Sequence, residues 1–254
     1  MILYYSGTGN SRHIAHLLAH SLGNTDRVID LCNMRHATTL HCPERRLIWV
    51  FPVYAWSLPP IVADFIAGVR LVGHPRHYMC ATCGDDIGLT AMVWRHAISA
   101  RGWRAATAYS VQMPNTYVFM KSFDIDKPQL RDAKLSAAPA AVAEIARRIA
   151  LNIAGDIVTP GAFAWVKTRL INRLFVKRYM SPKGFSAGDA CNACGLCAHS
   201  CPTANITIAD GKPRWGDDCA FCTRCYQICP HHAIDHDHSA AKKGQYRHFL
   251  APGK

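Results

Sequence analysis

The sequence predicts an α/β protein in which a doubly wound parallel sheet is followed by a small α+β domain. Three observations support this prediction. Short apolar runs alternate with helical patterns over residues 1–155, the first run ends in a glycine-rich polar loop, and eight of the twelve cysteines lie within residues 191–229. Half of the 254 residues are apolar, which suffices for the core of one ordinary domain beside a small one.

The first predicted unit is a strand, a polar loop and a helix. Residues 2–5 are an apolar run, and apolar residues recur at helical spacing from Ile14 to Leu22. The loop between them consists of Ser6, Gly7, Thr8, Gly9, Asn10 and Ser11. Such a loop favours a phosphate, because its N–H groups and the helix N-terminus attract an anion. A simple helix cap with a glycine turn is the alternative.

Two common types of phosphate site are excluded because the loop lacks residues that they require. A dinucleotide fingerprint would need a glycine where Arg12 stands, and a P-loop would need Gly-Lys followed by Ser or Thr. A phosphate site without a lysine therefore remains the prediction.

Four further strands and three helices complete the predicted sheet. The strands are residues 28–31, 47–51, 77–81 and 105–111, and the helices are residues 60–68, 91–101 and 127–153, the last interrupted at Pro139. Continuous apolar runs such as 47–51 are typical of parallel strands buried on both faces. We expect the strand order 2-1-3-4-5, with residues 32–46 as an irregular connection.

Two more loops follow strands at the edge where such sheets bind ligands. Tyr54, Ala55 and Trp56 follow strand three, and their aromatic rings suit stacking on a planar group, with ordinary packing as the alternative. Thr82, Cys83, Gly84 and Asp85 follow strand four. Asp85 and Asp86 either lower the reduction potential of a nearby redox group by repulsion or serve as turn residues.

The cysteines form two runs of identical spacing, Cys-x2-Cys-x2-Cys-x3-Cys-Pro. This is the bacterial 4Fe-4S spacing, in which the fourth cysteine of each run ligates the other cluster. One cluster would take Cys191, Cys194, Cys197 and Cys229, and the other would take Cys219, Cys222, Cys225 and Cys201. Structural zinc would want paired knuckles separated by a longer loop, and disulfides would need an oxidising compartment. Between the runs, residues 206–213 predict a small hairpin.

Both halves of the chain resemble known families in these motifs. The cysteine segment resembles the two-cluster bacterial ferredoxins, and the loop from Ser6 to Ser11 resembles the FMN phosphate loop of flavodoxins. The run from Thr82 to Asp85 resembles the second flavin-flanking loop of flavodoxins, with Thr82 where a glycine is common. The resemblance implies FMN, two 4Fe-4S clusters and the architecture of the flavodoxin–ferredoxin fusion proteins of anaerobic prokaryotes.

The expected organisation is a flavodoxin-like FMN domain at 1–155, a basic helical linker at 156–185, a ferredoxin domain at 186–238 and a basic, partly mobile tail at 239–254. In the linker, an apolar stripe that includes Leu170 and Leu174 runs beside cations spaced by four residues. This helix either packs between the domains or docks to an acidic partner or an anionic membrane surface. The histidines at 231, 232, 236 and 238 could suggest a metal site, but their irregular spacing and flanking acids predict a solvated surface.

A formal charge of +12 favours acidic partners, such as a redox protein with an acidic docking surface. No aromatic-basic ladder or helix-turn-helix pattern supports nucleic acid. The apolar runs are too short for a membrane span, and no signal peptide precedes the first strand, so a cytoplasmic location is expected. The motifs predict an electron-transfer flavo-iron-sulfur protein that couples one-electron carriers to a two-electron partner. An FMN-dependent reductase of small organic substrates and a redox-responsive interaction module are the alternatives.

Overall fold

The computed structural model describes residues 1–240 and 243–250. The strands of its first part are β1 (Ile2–Tyr4), β2 (Val28–Asp30), β3 (Thr39–His41), β4 (Arg46–Pro52), β5 (Arg70–Val72), β6 (Arg76–Cys83) and β7 (Arg104–Gln112). Five of them form one parallel sheet in the order β2-β1-β4-β6-β7. Counted among themselves, these strands follow the order 2-1-3-4-5 of the flavodoxin-like sheet, and the predicted fold class is confirmed.

Helices cover both faces of this sheet. They are α1 (Asn10–Ser21), α2 (Pro60–Gly68), α3 (Thr90–Ala100) and α4 (Pro128–Ala150), and a 3-10 helix occupies Leu31–Met34. α1 and α4 pack on one face, where Ile14 and Val142 meet alternate strand residues such as Ile2. The other face packs against α2 and α3, with Trp94 fully buried. Each large apolar side chain buried in this way contributes roughly 1.5–3 kcal/mol.

Two features of the first part differ from the prediction. The connection expected to be irregular contains β3, which pairs in parallel with β5 as a separate two-stranded sheet. The last helix, α4, is continuous through Pro139. Its neighbours Ala138 and Val142 are buried against the sheet, so packing offsets the hydrogen bond that the proline removes.

The second part begins with a linker helix, residues 164–178, formed by α5 (Ala164–Val166), a π-helical turn (Lys167–Ile171) and α6 (Asn172–Arg178). After a 3-10 turn at Pro182–Gly184 come β8 (Phe185–Ala187), α7 (Leu196–His199), β9 (Ile206–Ala209), β10 (Lys212–Trp215), α8 (Arg224–Ile228) and β11 (Ile234–His236). β9 and β10 form the predicted hairpin, and β8 pairs antiparallel with β11. No helix of the described residues is long and apolar enough to cross a membrane.

His236 does not lie on the solvated surface predicted for it. Its ring is 4% exposed, packs edge-on against Phe185 and Phe221, and has Nε2 2.9 Å from the carbonyl oxygen of Ser181. The small core of this second part of the chain is thus aromatic. It accommodates the imidazole ring of His236, which has the carbonyl oxygen of Ser181 as a polar partner. The other three histidines are exposed, as expected.

The tail predicted to be mobile is packed where the structure describes it. Tyr246 and Leu250 are buried, and the ring of Phe249 stacks on His13 at 4.3 Å between centroids. The backbone N–H of Tyr246 donates to Oε1 of Gln227 at 2.6 Å. The tail packs because it contains these apolar side chains. Basic residues lie between them in the sequence, so the pattern of the tail did not indicate packing. The remainder of that prediction, at 241–242 and 251–254, falls outside the described residues.

Candidate cofactor sites

A cavity of about 480 Å³ lies where β1, β4 and β6 end. All three loops predicted from the sequence contribute to its wall, and every predicted residue except Gly9 lines it. The residues in question are Ser6, Gly7, Thr8, Asn10, Ser11, Tyr54, Ala55, Trp56, Thr82, Cys83, Gly84 and Asp85. The carboxyl edge of the parallel sheet therefore brings these loops around one space, as the switch point of a doubly wound sheet does.

The first loop has the features of an anion site. Gly9 adopts φ 98°, a left-handed conformation that favours glycine, and α1 begins directly after it without a side-chain cap. The first turn of α1 contains no acidic residue, so its backbone N–H groups remain available to an anion. Beside them, Oδ1 of Asn10 is buried without a partner among the described residues, which suits a hydroxyl donor. These groups fit the phosphate and ribityl chain of FMN.

The loops are tied to one another by side chains. The hydroxyls of Ser11 and Thr82 lie 2.7 Å apart, and Nδ2 of Asn10 donates to the carbonyl oxygen of Pro114 at 2.9 Å. Thr82 thus links the loop at 6–11 to the loop after β6. The segment after β7 also closes the cavity, through Met113, Asn115, Thr116 and Tyr117.

The middle loop is a tight two-residue turn. Ala55 and Trp56 both have positive φ, 44° and 62°, and Tyr54 and Ser57 exchange backbone hydrogen bonds of 3.0 and 3.1 Å. This geometry turns both aromatic side chains toward the cavity. The hydroxyl of Tyr54 lies 3.1 Å from that of Tyr5, and Lys167 Nζ lies 5.2 Å from the centroid of the Trp56 ring.

The linker helix forms part of the cavity wall, which the sequence did not predict. Thr168, buried in its π-helical turn, donates from Oγ1 to the carbonyl oxygen of Trp56 and accepts from the N–H of Leu89, both at 2.9 Å. Nδ2 of Asn172 donates to the carbonyl oxygen of Tyr54 at 3.2 Å. The only available sequence signal is that these two polar residues lie off the apolar stripe. The helix residues that line the cavity are Ile171, Leu174, Phe175 and Tyr179.

The two acidic residues after β6 are not left as unopposed negative charges. Asp85 points to solvent with its side chain 90% exposed, 3.8 Å from Lys134 Nζ. Asp86 forms a 2.6 Å ion pair with Lys167, and both of these side chains are largely buried. The expected repulsion of a reduced cofactor is therefore opposed by a cation of the linker helix.

The two cysteine runs fold as structural repeats. Ala193 and Phe221, at the same position of each run, have positive φ, and so do Gly195 and Thr223. The sulfur of each fourth cysteine accepts a hydrogen bond from the N–H four residues later. These contacts are Asn205 N to Cys201 Sγ at 3.3 Å and Ala233 N to Cys229 Sγ at 3.4 Å. Such amide donors favour sulfur that carries negative charge, as a metal ligand does.

The predicted crossed sets of cysteines are brought together in space. Cys191, Cys194 and Cys197 line one small pocket with Cys229 of the other run. In the other set, burial together with the neighbouring thiols of Cys222 and Cys201 raises the pKa of the Cys219 thiol to about 12. Burial and the same neighbours, with Cys219, also raise the pKa of Cys225. Four thiols converging in each place fit a 4Fe-4S cluster.

No group of three or more His, Cys, Asp or Glu side chains in residues 1–240 and 243–250 is arranged to hold a single metal ion. That finding concerns single ions, since a cage of four irons needs its sulfur ligands spread around a wider space. All twelve cysteines are free thiols.

The second cysteine set lies against the cavity. Cys222 lines the cavity together with Phe221 and Thr223. Arg224 joins the same loop to the phosphate loop: its guanidinium donates to the carbonyl oxygens of Ser6, at 3.0 Å, and of Gly7. In contrast, Cys194 of the first set is exposed.

Comparison with known proteins gives a family match for the second part of the chain and structural neighbours for the first. Residues 182–234 match the model of the 4Fe-4S dicluster domain family. Among solved structures, the Trp repressor binding protein of Bacillus subtilis is 13% identical, over 56% of this chain and 96% of that one, with a TM-score of 0.35. An azoreductase of Bacillus anthracis is 11% identical over 58% and 98%, also at 0.35. None of the curated proteins matches the chain.

A short-chain flavodoxin associated with a bacterial microcompartment is 14% identical, over 57% of this chain and 96% of that one, with a TM-score of 0.31. Because these TM-scores are low, the assignment of the first domain rests on the strand order of this chain. The fold and the family match define a protein with a flavodoxin-like domain and a 4Fe-4S dicluster domain. The chain thus resembles a flavodoxin–ferredoxin fusion, with a flavodoxin-like strand order in its first part and a 4Fe-4S dicluster match at residues 182–234.

Proposed function

We propose that this protein is an electron-transfer flavo-iron-sulfur protein that holds one FMN and two 4Fe-4S clusters and couples one-electron carriers to a two-electron redox partner. The observation that supports it best is the position of Cys222, which belongs to a predicted cluster set and lines the predicted FMN cavity. When bound, FMN exchanges two electrons and each cluster exchanges one.

The residues around the cavity have separable tasks in this proposal. The first turn of α1 and the hydroxyls of the loop at 6–11 hold the phosphate, while Tyr54 and Trp56 flank the ring. Phe175 and Tyr179 of the linker helix exclude water from the cavity. Cys222 places the second cluster against the cavity, and the exposed Cys194 places the first cluster where a partner protein reaches it.

The partner we propose is a redox protein with an acidic docking surface, because the chain carries a formal charge of +12. A cytoplasmic location suits a chain whose twelve cysteines form no disulfide. Reduction by an acidic ferredoxin, used as a probe, should slow as ionic strength rises. A rate independent of salt would contradict an acidic docking surface.

Anaerobic purification with chemical analysis tests the cofactor content. We expect about eight irons and one FMN per chain. Photoreduction of the bound flavin should then bleach the cluster absorbance within the same molecule, at a rate independent of protein concentration. FAD in place of FMN, or zinc in place of iron, would overturn the cofactor assignment. Turnover of small organic acceptors by the purified protein alone would favour a reductase.

A further inference from the structure

The apolar stripe of the linker helix faces solvent. Phe163 is 80% exposed, Trp165 60%, Leu170 56% and Leu174 58%. The stripe is therefore not the side through which the helix packs, and the helix contacts both domains with its other side. Large apolar side chains grouped on one exposed surface indicate a contact that the isolated chain does not make.

The orientation of the helix is fixed by its other side. Thr168 and Asn172 bond the backbone of the loop that contains Trp56, and Lys167 pairs with Asp86. Phe175 packs against the aromatic residues of the cluster domain, such as Phe221. Rotation of the stripe toward the interior would break these contacts, so it is held outward.

The same surface is strongly basic. Between Asp156 and Asp189 the chain has no acidic residue, yet it has six lysines and arginines. Arg169, Arg173, Lys177 and Arg178 are exposed, and none of these four makes an ion pair within the described part of the chain. A row of cations at spacing four thus lies beside an exposed apolar row at the same spacing, Val166, Leu170 and Leu174.

We propose that this surface, residues 163–178, binds the face of an anionic lipid bilayer. A helix with Lys and Arg on one side and Trp, Phe and Leu on the other lies in the plane of the interface, where anionic headgroups attract the cations and the apolar side chains enter the acyl boundary. Exposed Phe163 and Trp165 favour lipid over an acidic protein, because weak redox encounters bury little surface and leave such rings wet. Leu174 and Tyr179 line the cavity and are also exposed, so binding would bring the cavity mouth to the membrane.

Vesicle flotation of the intact protein tests this inference, which does not depend on the proposed electron transfer. The probes are vesicles of phosphatidylcholine mixed with phosphatidylglycerol, and vesicles of phosphatidylcholine alone. We expect flotation only with the mixed vesicles. The triple variant R169Q/R173Q/K177Q should lower the partition coefficient on the order of 100-fold, since each cation near an anionic surface adds about fivefold. The matched variant R104Q/K121Q/K127Q, which removes three exposed cations elsewhere, should leave partitioning unchanged.

The apolar half of the surface is tested by F163S/W165S. Its control is L130S/L151S, which replaces one exposed leucine of α4 and one directly after the end of that helix. We expect F163S/W165S to weaken partitioning into the vesicles roughly tenfold and L130S/L151S to leave it unchanged. Flavin content reports folding for every variant. Absence of flotation, equal flotation with both kinds of vesicle, or a dimer that F163S/W165S dissociates would overturn the inference. Salt-sensitive binding of an acidic ferredoxin abolished by the same charge variant, without flotation, would assign the surface to a protein partner instead.

Discussion

Gly7 and Cys222 touch across the junction of the two domains: a Cβ atom on Gly7 would lie 2.7 Å from the Cβ atom of Cys222. The backbone of Gly7 is not in the left-handed region, so glycine is required there by this approach and not by its φ. The phosphate loop and the second cysteine loop are thus in van der Waals contact.

The variant Gly7→Ala should push these loops apart. We expect a loss of about 1–3 kcal/mol in the free energy of unfolding, the range for overpacking a tight contact, together with weaker flavin retention. Thermal unfolding and flavin content after gel filtration measure the two effects. Gly68→Ala is the control, because its Cβ would meet nothing within 4 Å. If Gly7→Ala and Gly68→Ala change the free energy of unfolding and the flavin content equally, the contact between Gly7 and Cys222 does not contribute to either.

Arg224→Gln removes a cation that holds three segments together. Its guanidinium donates to the carbonyl oxygens of Ser6 and Gly7 in the first domain and of Ser200 in the second, the last at 3.1 Å. Charged donors of this kind contribute about 1.5–3 kcal/mol each, so we expect at least 2 kcal/mol of destabilisation. Chemical denaturation measures it, and the exposed Arg214→Gln serves as the matched change. Equal midpoints for the two variants would refute the role given to Arg224.

Cys229→Ser should destroy the cluster of the other run. Because Cys229 shares a pocket with Cys191, Cys194 and Cys197, we expect iron to fall from about eight to about four per chain while the second cluster survives. Electron paramagnetic resonance of the reduced protein distinguishes the remaining cluster. Cys201→Ser should give the opposite pattern, and the buried Cys80→Ser should keep both. Loss of the cluster held by Cys219, Cys222 and Cys225 in the Cys229 variant would show that ligation is not crossed.

Lys167→Gln leaves the carboxylate of Asp86 without its cation beside the cavity. Negative charge disfavours a reduced flavin, so the potential should fall, on the order of 30 mV if the interaction is about 1.4 kcal/mol. Spectroelectrochemical titration of the flavin measures the shift. Asp86→Asn should move the potential upward, and Lys167→Arg should leave it near the original value. A potential insensitive to all three changes would place the ion pair outside the influence of the cofactor.

The buried ring of His77 should make the folding stability of the protein depend on pH. Its ring is fully buried, lies 5.1 Å from the Trp103 ring and accepts from Nε1 of Trp49 at 3.0 Å. Burial lowers the pKa of His77 to about 4, whereas in the unfolded chain it titrates near 6.5. The unfolded state therefore binds more protons between these values. Stability is fully present above pH 6.5 and is lost as pH falls toward 4, by up to about 3 kcal/mol.

His77→Gln keeps an acceptor for Trp49 and removes the titrating ring. Denaturation midpoints compared between pH 7 and pH 5 should fall less in this variant than in the parent chain. The exposed His20→Gln is the control for the substitution itself. Parallel pH profiles for parent and His77→Gln would mean that the ring does not carry this dependence.

The features that were predicted from the sequence are those that depend on residues close together in the chain. Glycines and hydroxyls before α1, apolar runs of parallel strands and evenly spaced cysteines each have a short-range signature, and the five-stranded order and the hairpin at β9 and β10 followed from them. The position of Thr82 was predicted, but its bond to Ser11 was not, since Thr82 lies in β6 and Ser11 in the first turn of α1.

What could not be predicted depends on long-range contacts. In the sequence, the linker helix has the pattern of a simple amphipathic helix. In the structure, the bond from Thr168 to the loop of Trp56 fixes its orientation and leaves its apolar side exposed. His236 looks like part of a polar run, but the strand pairing of β11 with β8 turns it inward. Neither contact has a periodicity that a pattern would reveal.

Phe249 lies directly against Gly9, where it occupies the space beside the start of α1. Residues 243–250 are held on the cluster domain by the hydrogen bond from Tyr246 N to Gln227 Oε1. The side chain that covers the start of α1 is therefore anchored in the second domain. Correct folding of the cluster domain thus determines how far solvent reaches this end of the loop at 6–11.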